Sequence, residues 1–488
     1  MLSARLLPVL GLGALALLAA HPALAQTPGG AVGAQIGGQI PKASVDKGDV
    51  AWMLVSTLLV LMMSVPGLAL FYGGLVRTKN MLSVLTQVLM IVCLVAVIWV
   101  TWGYSESFTA GPTSLWGGLS KVFLKGVDAN SQAATFSNGV YIPEYVYICF
   151  QMTFACITPA LFVGSIAERV RFSPLMLFVA LWVTLVYFPI AHMVWYWEGP
   201  DAVASAALKG AAALDAANAD AGWLFQKGAL DFAGGTVVHV NAGITGLVLA
   251  ILMGRRAGFP REPMPPHSLT MTMIGASLLW VGWFGFNAGS NLEANGVTAV
   301  AFINTFVATA AAGLSWLLVE QVVRGKPSLL GAASGVVAGL VAITPASGYA
   351  GPMGSVVLGL LVSPICFFFV STVKTRFGYD DSLDVFGVHC IGGITGAILT
   401  GVLAAPKLGG QGIADYASKP GTLVPGAYHM GAQVWIQCQA VIVTLAWSAI
   451  GATILYLAID KLWGFRASLD TEHEGLDIAE HGERAYHY

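Results

Sequence analysis

Long runs of apolar residues, separated by short polar stretches, fill this chain from about residue 50 onward. A helix needs about 20 consecutive apolar residues to cross a bilayer. Eleven such runs predict eleven spanning helices, near 50–75, 81–103, 144–167, 174–197, 231–254, 268–288, 297–320, 329–346, 352–373, 384–404 and 432–462. The pattern therefore predicts an all-α integral membrane protein.

Composition agrees with a chain that lies mostly in lipid. Of the 488 residues, 56% are hydrophobic and only 10% are charged, whereas a soluble domain carries about 25% charged residues. The 58 glycines lie mostly inside apolar runs, where small residues let membrane helices approach closely. A net charge of −2 without a basic patch gives no indication of nucleic-acid binding.

The first residues have the pattern of an export signal. Arg5 precedes an apolar stretch at 6–20, and Ala23-Leu24-Ala25 forms a small-residue cleavage site. An uncleaved first membrane helix is the alternative. All six cysteines lie in apolar runs, so a disulfide framework is not expected. The predicted organisation is a signal peptide (1–25), an exported tail (26–47), a membrane domain (48–464) and a cytoplasmic tail (465–488).

The distribution of basic residues predicts the orientation of the chain. With an outside N-terminus, the loops on the inner side and the C-terminal end hold fourteen Lys and Arg residues, and every inner loop holds some. The outer loops hold six lysines, all in the three long loops 104–143, 198–230 and 405–431. Positive residues stay on the cytoplasmic side of a membrane. We therefore expect the N-terminus outside and the C-terminus inside.

Two strings recur five spans apart and predict an internal repeat. His239-Val-Asn-Ala-Gly-Ile-Thr-Gly246 matches His389-Cys-Ile-Gly-Gly-Ile-Thr-Gly396 at five of eight positions, and Ile157-Thr-Pro-Ala160 matches Ile343-Thr-Pro-Ala346. An odd offset makes the two copies run in opposite directions. The expected fold is an inverted repeat of five plus five helices with one final helix, which brings His239 and His389 together near the membrane midplane.

Ionisable groups inside a membrane are functional candidates by default. A lone membrane histidine can be satisfied by a neighbouring carbonyl, but two symmetry-related imidazoles indicate one joint site. Each neutral ring offers one donor and one acceptor to a small molecule passing through.

Two further groups of residues allow two interpretations each. Asp231 and Asp384, which precede the two histidines, can cap a helix start or contribute to cation binding at the mouth of a pore. The aromatic residues near the span ends can form an interfacial belt or a cation–π vestibule; they are Phe150, Phe154, Trp195, Trp197, Phe284 and Phe286.

Several strings are similar to the signatures of the Amt/Mep/Rh ammonium transporters, and of the bacterial Amt branch in particular. They are Asp231-Phe-Ala-Gly-Gly-Thr-Val-Val-His239, Ala191-His-Met-Val-Trp195, Gly282-Trp-Phe-Gly-Phe-Asn-Ala-Gly-Ser290, Gly325-Lys-Pro-Ser-Leu-Leu-Gly331, Asp384-Val-Phe-Gly-Val-His389, and the tail strings Glu474-Gly-Leu-Asp477 and His481-Gly-Glu-Arg-Ala-Tyr486. The resemblance covers about 48–488; the longer outer loops 104–143 and 198–230 depart from it.

The resemblance implies a homotrimer in the inner (plasma) membrane with one pore for ammonium or ammonia in each subunit. Phe154, Trp195 and Ser290 would form the outer ammonium site, with Asp231 close to it. Phe154 and Phe286 would be the stacked rings of a gate. His239, His389 and Thr344 would line the pore below. The tail would meet a cytosolic PII-type regulatory protein.

Other functions stay open at this stage. An ammonium sensor that signals through its tail fits the same strings. A membrane metalloenzyme or haem protein would use His192, His239 and His389, although these residues lack the spacing of a helix-borne zinc site. Gly325-Lys326-Pro327 lacks the other residues of a phosphate-binding loop. Neither enzyme activity nor a cofactor is expected.

Overall fold

The computed structural model describes residues 43–421 and 424–486. Within these residues, eleven helices are long and apolar enough to cross a membrane, as the sequence predicts. In chain order, α1 to α11 are Lys47–Leu75, Thr78–Phe108, Glu144–Ile166, Phe172–Trp195, Gly235–Met253, Leu269–Gly289, Gly296–Arg324, Leu329–Ala346, Pro352–Phe377, Phe386–Leu403 and Met430–Trp463. The predicted signal peptide (1–25) and most of the exported tail (26–47) lie outside the described residues.

Several spans contain one π-helical turn. The turn in the first span includes a proline, and the turn in the fifth span includes a candidate histidine. In α1 the segment Met63–Leu68 carries Pro66, and Val65 has extended backbone angles (φ −131°, ψ 105°). Proline removes a backbone donor and bends the helix. In α5 the π turn is Gly235–Val240, which contains His239. The remaining π turns are Trp99–Gly103, Val183–Tyr187, Phe369–Val373 and Phe386–Cys390.

Polar side chains mark where three of the spans begin. Ser268, Asn295 and Ser328 accept hydrogen bonds from the first free amides of α6, α7 and α8. The first four N–H groups of a helix have no partner inside the helix, and an unsatisfied group is costly next to lipid. These caps therefore fix three helix starts, each within one residue of the start that the apolar pattern predicts.

The three long loops lie on one face, called here the long-loop face, and carry most of the short elements. Strands β1 (Ser44–Val45), β3 (Val140–Pro143) and β2 (Gln132–Ala134) form a small sheet in the order β1-β3-β2. Strands β4 (Ala414–Asp415) and β5 (Val424–Pro425) pair antiparallel. The short helices on this face are Val122–Leu124, Pro200–Lys209, Ala211–Ala219, Trp223–Gln226 and Pro406–Leu408.

The opposite face, called here the tail face, is held together by buried ion pairs between its loops. The Glu168 carboxylate accepts from Arg77 Nε at 2.9 Å and from Arg256 Nη1 at 3.0 Å. Arg256 Nη2 in turn donates to Asp380 at 2.8 Å. Burial opposes ionisation of Glu168, but the charges of Arg256 and Arg77 hold the pKa of that carboxyl below its usual range. These pairs join four connections of the bundle.

The C-terminal tail packs against the same face through acidic side chains. It contains the helices Leu469–Glu474 and Leu476–His481. Asp477 accepts from the amide of Ser83 at 2.8 Å, Glu480 from the amide of Phe172 at 3.1 Å, and Glu472 from the amide of Ala257 at 2.8 Å. Ser83 lies in the first turn of the α-helical part of α2, which begins at Met81 after a 3-10 turn, and Phe172 is the first residue of α4. Negative charge is favourable at both places.

We predict that Glu168→Gln destabilises the fold by about 3 kcal/mol. The substitution removes the negative charge that the guanidinium groups of Arg77 and Arg256 share, and a buried charge that loses its partner is costly. Thermal unfolding in detergent measures this loss. Asp470→Asn, at an exposed position of the tail, is the control and should change stability by less than about 0.5 kcal/mol. The pKa of Glu168 is lowered by folding, so its contribution should persist at neutral pH and be lost progressively as the pH falls below the ordinary glutamate pKa of about 4.3. Equal stability of the two variants would contradict a supporting role for the network.

Candidate functional site

The two histidines of the repeated strings lie in equivalent places. His239 belongs to the π turn Gly235–Val240 at the start of α5, and His389 to the π turn Phe386–Cys390 at the start of α10. The second pair of repeated strings differs locally, since Thr158 lies inside α3 whereas Thr344 begins a 3-10 turn at the end of α8. At the histidines, the repeat read from the sequence corresponds to repeated local structure.

Asp231 caps the start of α5. Its buried carboxylate accepts hydrogen bonds from the amides of Gly234, Gly235 and Thr236 at 2.9, 2.6 and 2.8 Å. Residues 231–234 form the turn that leads into the helix, so the span begins at Gly235 rather than at 231. The interpretation of Asp231 as a helix cap is thus what its contacts show. Its backbone carbonyl also accepts the indole N–H of Trp195 at 2.9 Å, which fixes the orientation of that ring.

The prediction that Asp384 plays the equivalent part in the second repeat is wrong. Asp381 caps α10 instead, because its buried carboxylate accepts from the amides of Val385 and Phe386 at 3.1 and 2.8 Å. Asp384 pairs with Lys374 Nζ at 2.6 Å and is partly exposed. The sequence held the signal: Asp381 precedes His389 by eight residues, as Asp231 precedes His239.

The histidine rings meet as expected. The Nδ1 atoms of His239 and His389 lie 3.3 Å apart, and the ring centroids are separated by 5.4 Å. Two facing Nδ1 atoms can share only one proton, so one ring donates and the other accepts. The Nε2 atoms then present one acceptor and one donor. His239 Nε2 has no hydrogen-bond partner among the residues that the structure describes.

A column of aromatic rings leads to this pair from the long-loop face. Trp195 meets the edge of Phe154 at a centroid distance of 5.8 Å. Phe154 stacks on Phe286 at 4.2 Å with 28° between the planes. Phe286 lies 6.0 Å from the ring of His239. The three aromatic residues named for the outer site and the gate therefore form one continuous column, with one edge-to-face contact and one stacked contact.

Trp283 is part of the site although the sequence analysis did not name it as such. Its ring stacks on His239 at 5.4 Å, and its indole N–H donates to Thr344 Oγ1 at 2.8 Å. Thr344, expected to line the pore, thus contacts Trp283, which itself lines the cavity. The signal was available, because Trp283 precedes Phe286 by three residues and so shares its helix face.

Ser290 lies one helical turn beyond Phe286 and is half-buried. Its hydroxyl donates to the Phe286 carbonyl at 2.8 Å. The oxygen lone pairs remain able to accept a further hydrogen bond. The hydrogen bond therefore links Ser290 to Phe286, one of the two rings expected to form a gate.

A narrow cavity lies beside Phe286 and the two histidines. Its walls are Met63, Leu68, Phe71, Ile157, Leu161, Val238, His239, Leu279, Trp283, Phe286, Val337 and His389. The space open to the centre of a water-sized molecule is about 10 Å³, roughly what one water requires. Apart from the two imidazoles the lining is almost entirely apolar. The cavity suits a small neutral molecule with donor and acceptor capacity, such as ammonia.

The other aromatic candidates lie outside this column or behind it. Phe150 is buried next to Phe154, at a centroid distance of 5.0 Å. Phe284 stacks on the exposed Phe302 at 4.2 Å, on the outside of the bundle. Trp197 lies among loop rings, with Phe225 at 5.2 Å. Phe284 and Phe286, two positions apart in one sequence string, thus lie on different sides of α6.

His192, the third histidine of the metal or haem alternative, contacts different groups. Its Nδ1 lies 3.1 Å from the carbonyl of Ser107, and its ring stacks on Tyr196 at 4.8 Å. Among the described residues, no three His, Cys, Asp or Glu side chains are grouped so that they could hold a metal ion.

We predict that Asp381→Ala destabilises the protein by about 1–2 kcal/mol, because the cap of a buried helix start is lost. Asp384→Ala removes a partly exposed ion pair and should cost less than about 1 kcal/mol. Thermal unfolding of the two variants and of Asp231→Ala, under one set of conditions, ranks them. A larger loss in Asp384→Ala than in Asp381→Ala would contradict the corrected cap.

The chain is similar over nearly its whole length to proteins of one family. The model of the Ammonium Transporter Family matches residues 51–486. Proteins named ammonium transporter from Bacillus subtilis and Aquifex aeolicus are each 42% identical to it; the first covers 90% of this chain and 98% of its own length, the second 91% and 95%.

Solved structures resemble the fold equally broadly. The crystal structure of Candida albicans Mep2 is 32% identical, covers 87% of each chain and gives a TM-score of 0.73. A structure titled Sensor Amt Protein is 26% identical, covers 89% of this chain and 98% of its own, and gives a TM-score of 0.75. On the family match, the 42% identity and the eleven spans, this chain belongs to the ammonium transporter family.

Proposed function

We propose that this chain carries ammonium nitrogen across a lipid bilayer through the cavity that ends at His239 and His389. The observation that supports this most directly is the unbroken column of rings from Trp195 to the histidine pair. The names of the curated relatives give the substrate class.

Ammonium is recruited at the outer end of the column. A cation that leaves water loses hydration energy, at a cost of several kcal/mol even after relaxation. The face of Trp195 offsets part of this cost by cation–π attraction, worth about 2 kcal/mol where the ion is desolvated. The Ser290 hydroxyl can accept one N–H. Asp231 acts through its carbonyl, which holds the Trp195 indole in place.

Phe154 and Phe286 form the gate. Rings stacked at 4.2 Å leave no space between them for a water molecule or a hydrated ion. Potassium and sodium ions have no proton to lose and no neutral form, so they must cross as ions. Ammonium can transfer one proton to water on the outer side of the gate and continue as neutral ammonia.

The histidine pair serves the neutral molecule beyond the gate. Its one free acceptor and one free donor match the N–H groups and the lone pair of ammonia. Neutral imidazoles provide this without placing a net charge in an apolar cavity. The 3.3 Å contact also offers a route by which the proton can follow.

We further propose that the tail face is cytoplasmic and that the protein is a homotrimer of the inner membrane. The excess of Lys and Arg on that face supports the orientation. The trimer and a PII-type partner for the tail rest on the family resemblance. The sensor alternative has less support, because the Sensor Amt Protein is 26% identical whereas relatives named transporters reach 42%.

We predict that the double variant Phe154→Ala, Phe286→Ala raises the potassium and water permeability of proteoliposomes at least about tenfold, which corresponds to a barrier lowered by about 1.4 kcal/mol. Light scattering after an osmotic step reports water flux, and a potassium-sensitive dye inside the vesicles reports ion flux.

Phe284→Ala is the matched control, because the same residue type is removed from α6 on its outer side, where it stacks on Phe302. That variant should keep the permeabilities of the unmodified protein. If the double variant still excludes water and potassium fully, these rings are not the gate.

A further inference from the structure

The loop segment 114–125, which follows α2 on the long-loop face, exposes large apolar side chains. Leu119 and Phe123 are 69% and 75% exposed, and Leu115 is 37% exposed. Exposed apolar patches outside a core mark interaction surfaces or contact with lipid. None of these three residues belongs to a spanning helix or to the ring column. The proposed transport therefore does not account for their exposure.

The segment is held firmly in this arrangement. Ser105 Oγ donates to the Gly118 carbonyl at 2.9 Å and accepts from the amide of Lys121 at 2.9 Å. The Gly117 amide donates to the Glu106 carbonyl at 3.0 Å. These bonds tie the loop to the last turn of α2. Exposure of Leu119 and Phe123 is therefore a feature of the folded loop.

The backbone at the exposed ring is strained. Phe123 has φ +55° and Leu124 has φ +53°, a left-handed conformation that bulky side chains rarely adopt. Strain of this sort persists only where the surroundings enforce it.

One residue of the segment packs against the outward surface of two spans. Trp116 meets the ring of Trp447 in α11 at 6.3 Å, and Trp447 donates to the carbonyl of Leu185 in α4 at 3.2 Å. Leu185 is thirteen residues after Phe172, the tail-face end of α4, or about 20 Å along the helix. A hydrocarbon core is about 30 Å thick. With Phe172 taken as the inner boundary, Leu185 lies about 10 Å inside the outer boundary of that core, and Trp116 packs on the ring that contacts Leu185.

We propose that this segment is an outer-leaflet anchor, in which Leu119 and Phe123 insert among the acyl chains of the bilayer. The exposed apolar side chains of the spans α2, α4 and α11, among them Val97, Leu185 and Ile454, face lipid in a membrane protein, and Trp116 joins the segment to α11. The exposed Lys125 follows Phe123 closely and can place its ammonium group at the lipid phosphates.

The anchor has a mechanical consequence for the long-loop face. The Ser114 carbonyl accepts from the Trp223 amide at 2.8 Å, and the Gly222 amide donates to the carbonyl of Tyr196 at 2.9 Å. Tyr196 follows Trp195 directly. The anchor thus connects the outer leaflet to the end of α4 that carries the first ring of the column.

The test places a photo-reactive benzoyl-phenylalanine at position 123 and, separately, at position 119. The full-length protein is reconstituted into vesicles of phosphatidylethanolamine and phosphatidylglycerol, irradiated and analysed by mass spectrometry. The matched control is position 208, because Leu208 is 45% exposed on the same face but belongs to the loop helix Pro200–Lys209. Thermal unfolding and ammonium transport should be unchanged in all three variants, which shows that they are folded.

We expect about tenfold more phospholipid adduct at positions 119 and 123 than at 208, with the cross-link on the acyl chains, because large apolar side chains partition strongly from water into hydrocarbon. An adduct with the mass of a second copy of the chain would overturn the proposal in favour of a subunit contact. Lipid adduct no higher than at position 208 would also overturn it, since the side chains would then lie in water.

Discussion

The approach of His239 and His389 to 3.3 Å is the contact on which the rest of the site depends. It requires two spans to begin inside the bundle with their first amides satisfied, because lipid and packed side chains offer no water. Asp231 and Asp381 supply those bonds. The two carboxylates thus act on the cavity indirectly, by fixing where the histidine-bearing turns begin.

Glycine makes the same approach sterically possible. A Cβ at Gly243 would lie 2.4 Å from the backbone nitrogen of Cys390, and one at Gly393 would lie 3.1 Å from the Cβ of His239. Each glycine follows its own histidine by four residues, so it lies on the same helix face one turn later. Any side chain at either position would push α5 and α10 apart. The glycine-rich composition of the chain therefore has a specific consequence at the pore.

The sequence predicted the eleven spans and the meeting of the histidines because apolar length and internal repetition report directly on membrane folds. The prediction failed at Asp384, which was matched to Asp231 because it lies close to His389. The residue with the same eight-residue spacing from its histidine is Asp381. Trp283 and Phe284 are adjacent in sequence, yet one stacks on His239 and the other on Phe302. Only the rotation of α6 separates them, and a helix that is apolar on all sides carries little periodic signal for its rotation.

Transport by purified protein in liposomes, with the histidines replaced one at a time, tests most directly whether the pair lies in the path. An ammonium step is applied to the unmodified protein, to His239→Ala and His389→Ala, and to His267→Ala, whose ring contacts the Val76 carbonyl on the tail face. Current and internal pH are recorded together, so that charged and neutral passage are both detected. Both pair variants should lose transport at least about tenfold, a change of about 1.4 kcal/mol in barrier, while His267→Ala keeps it. Full transport in either pair variant would contradict passage through the histidine pair.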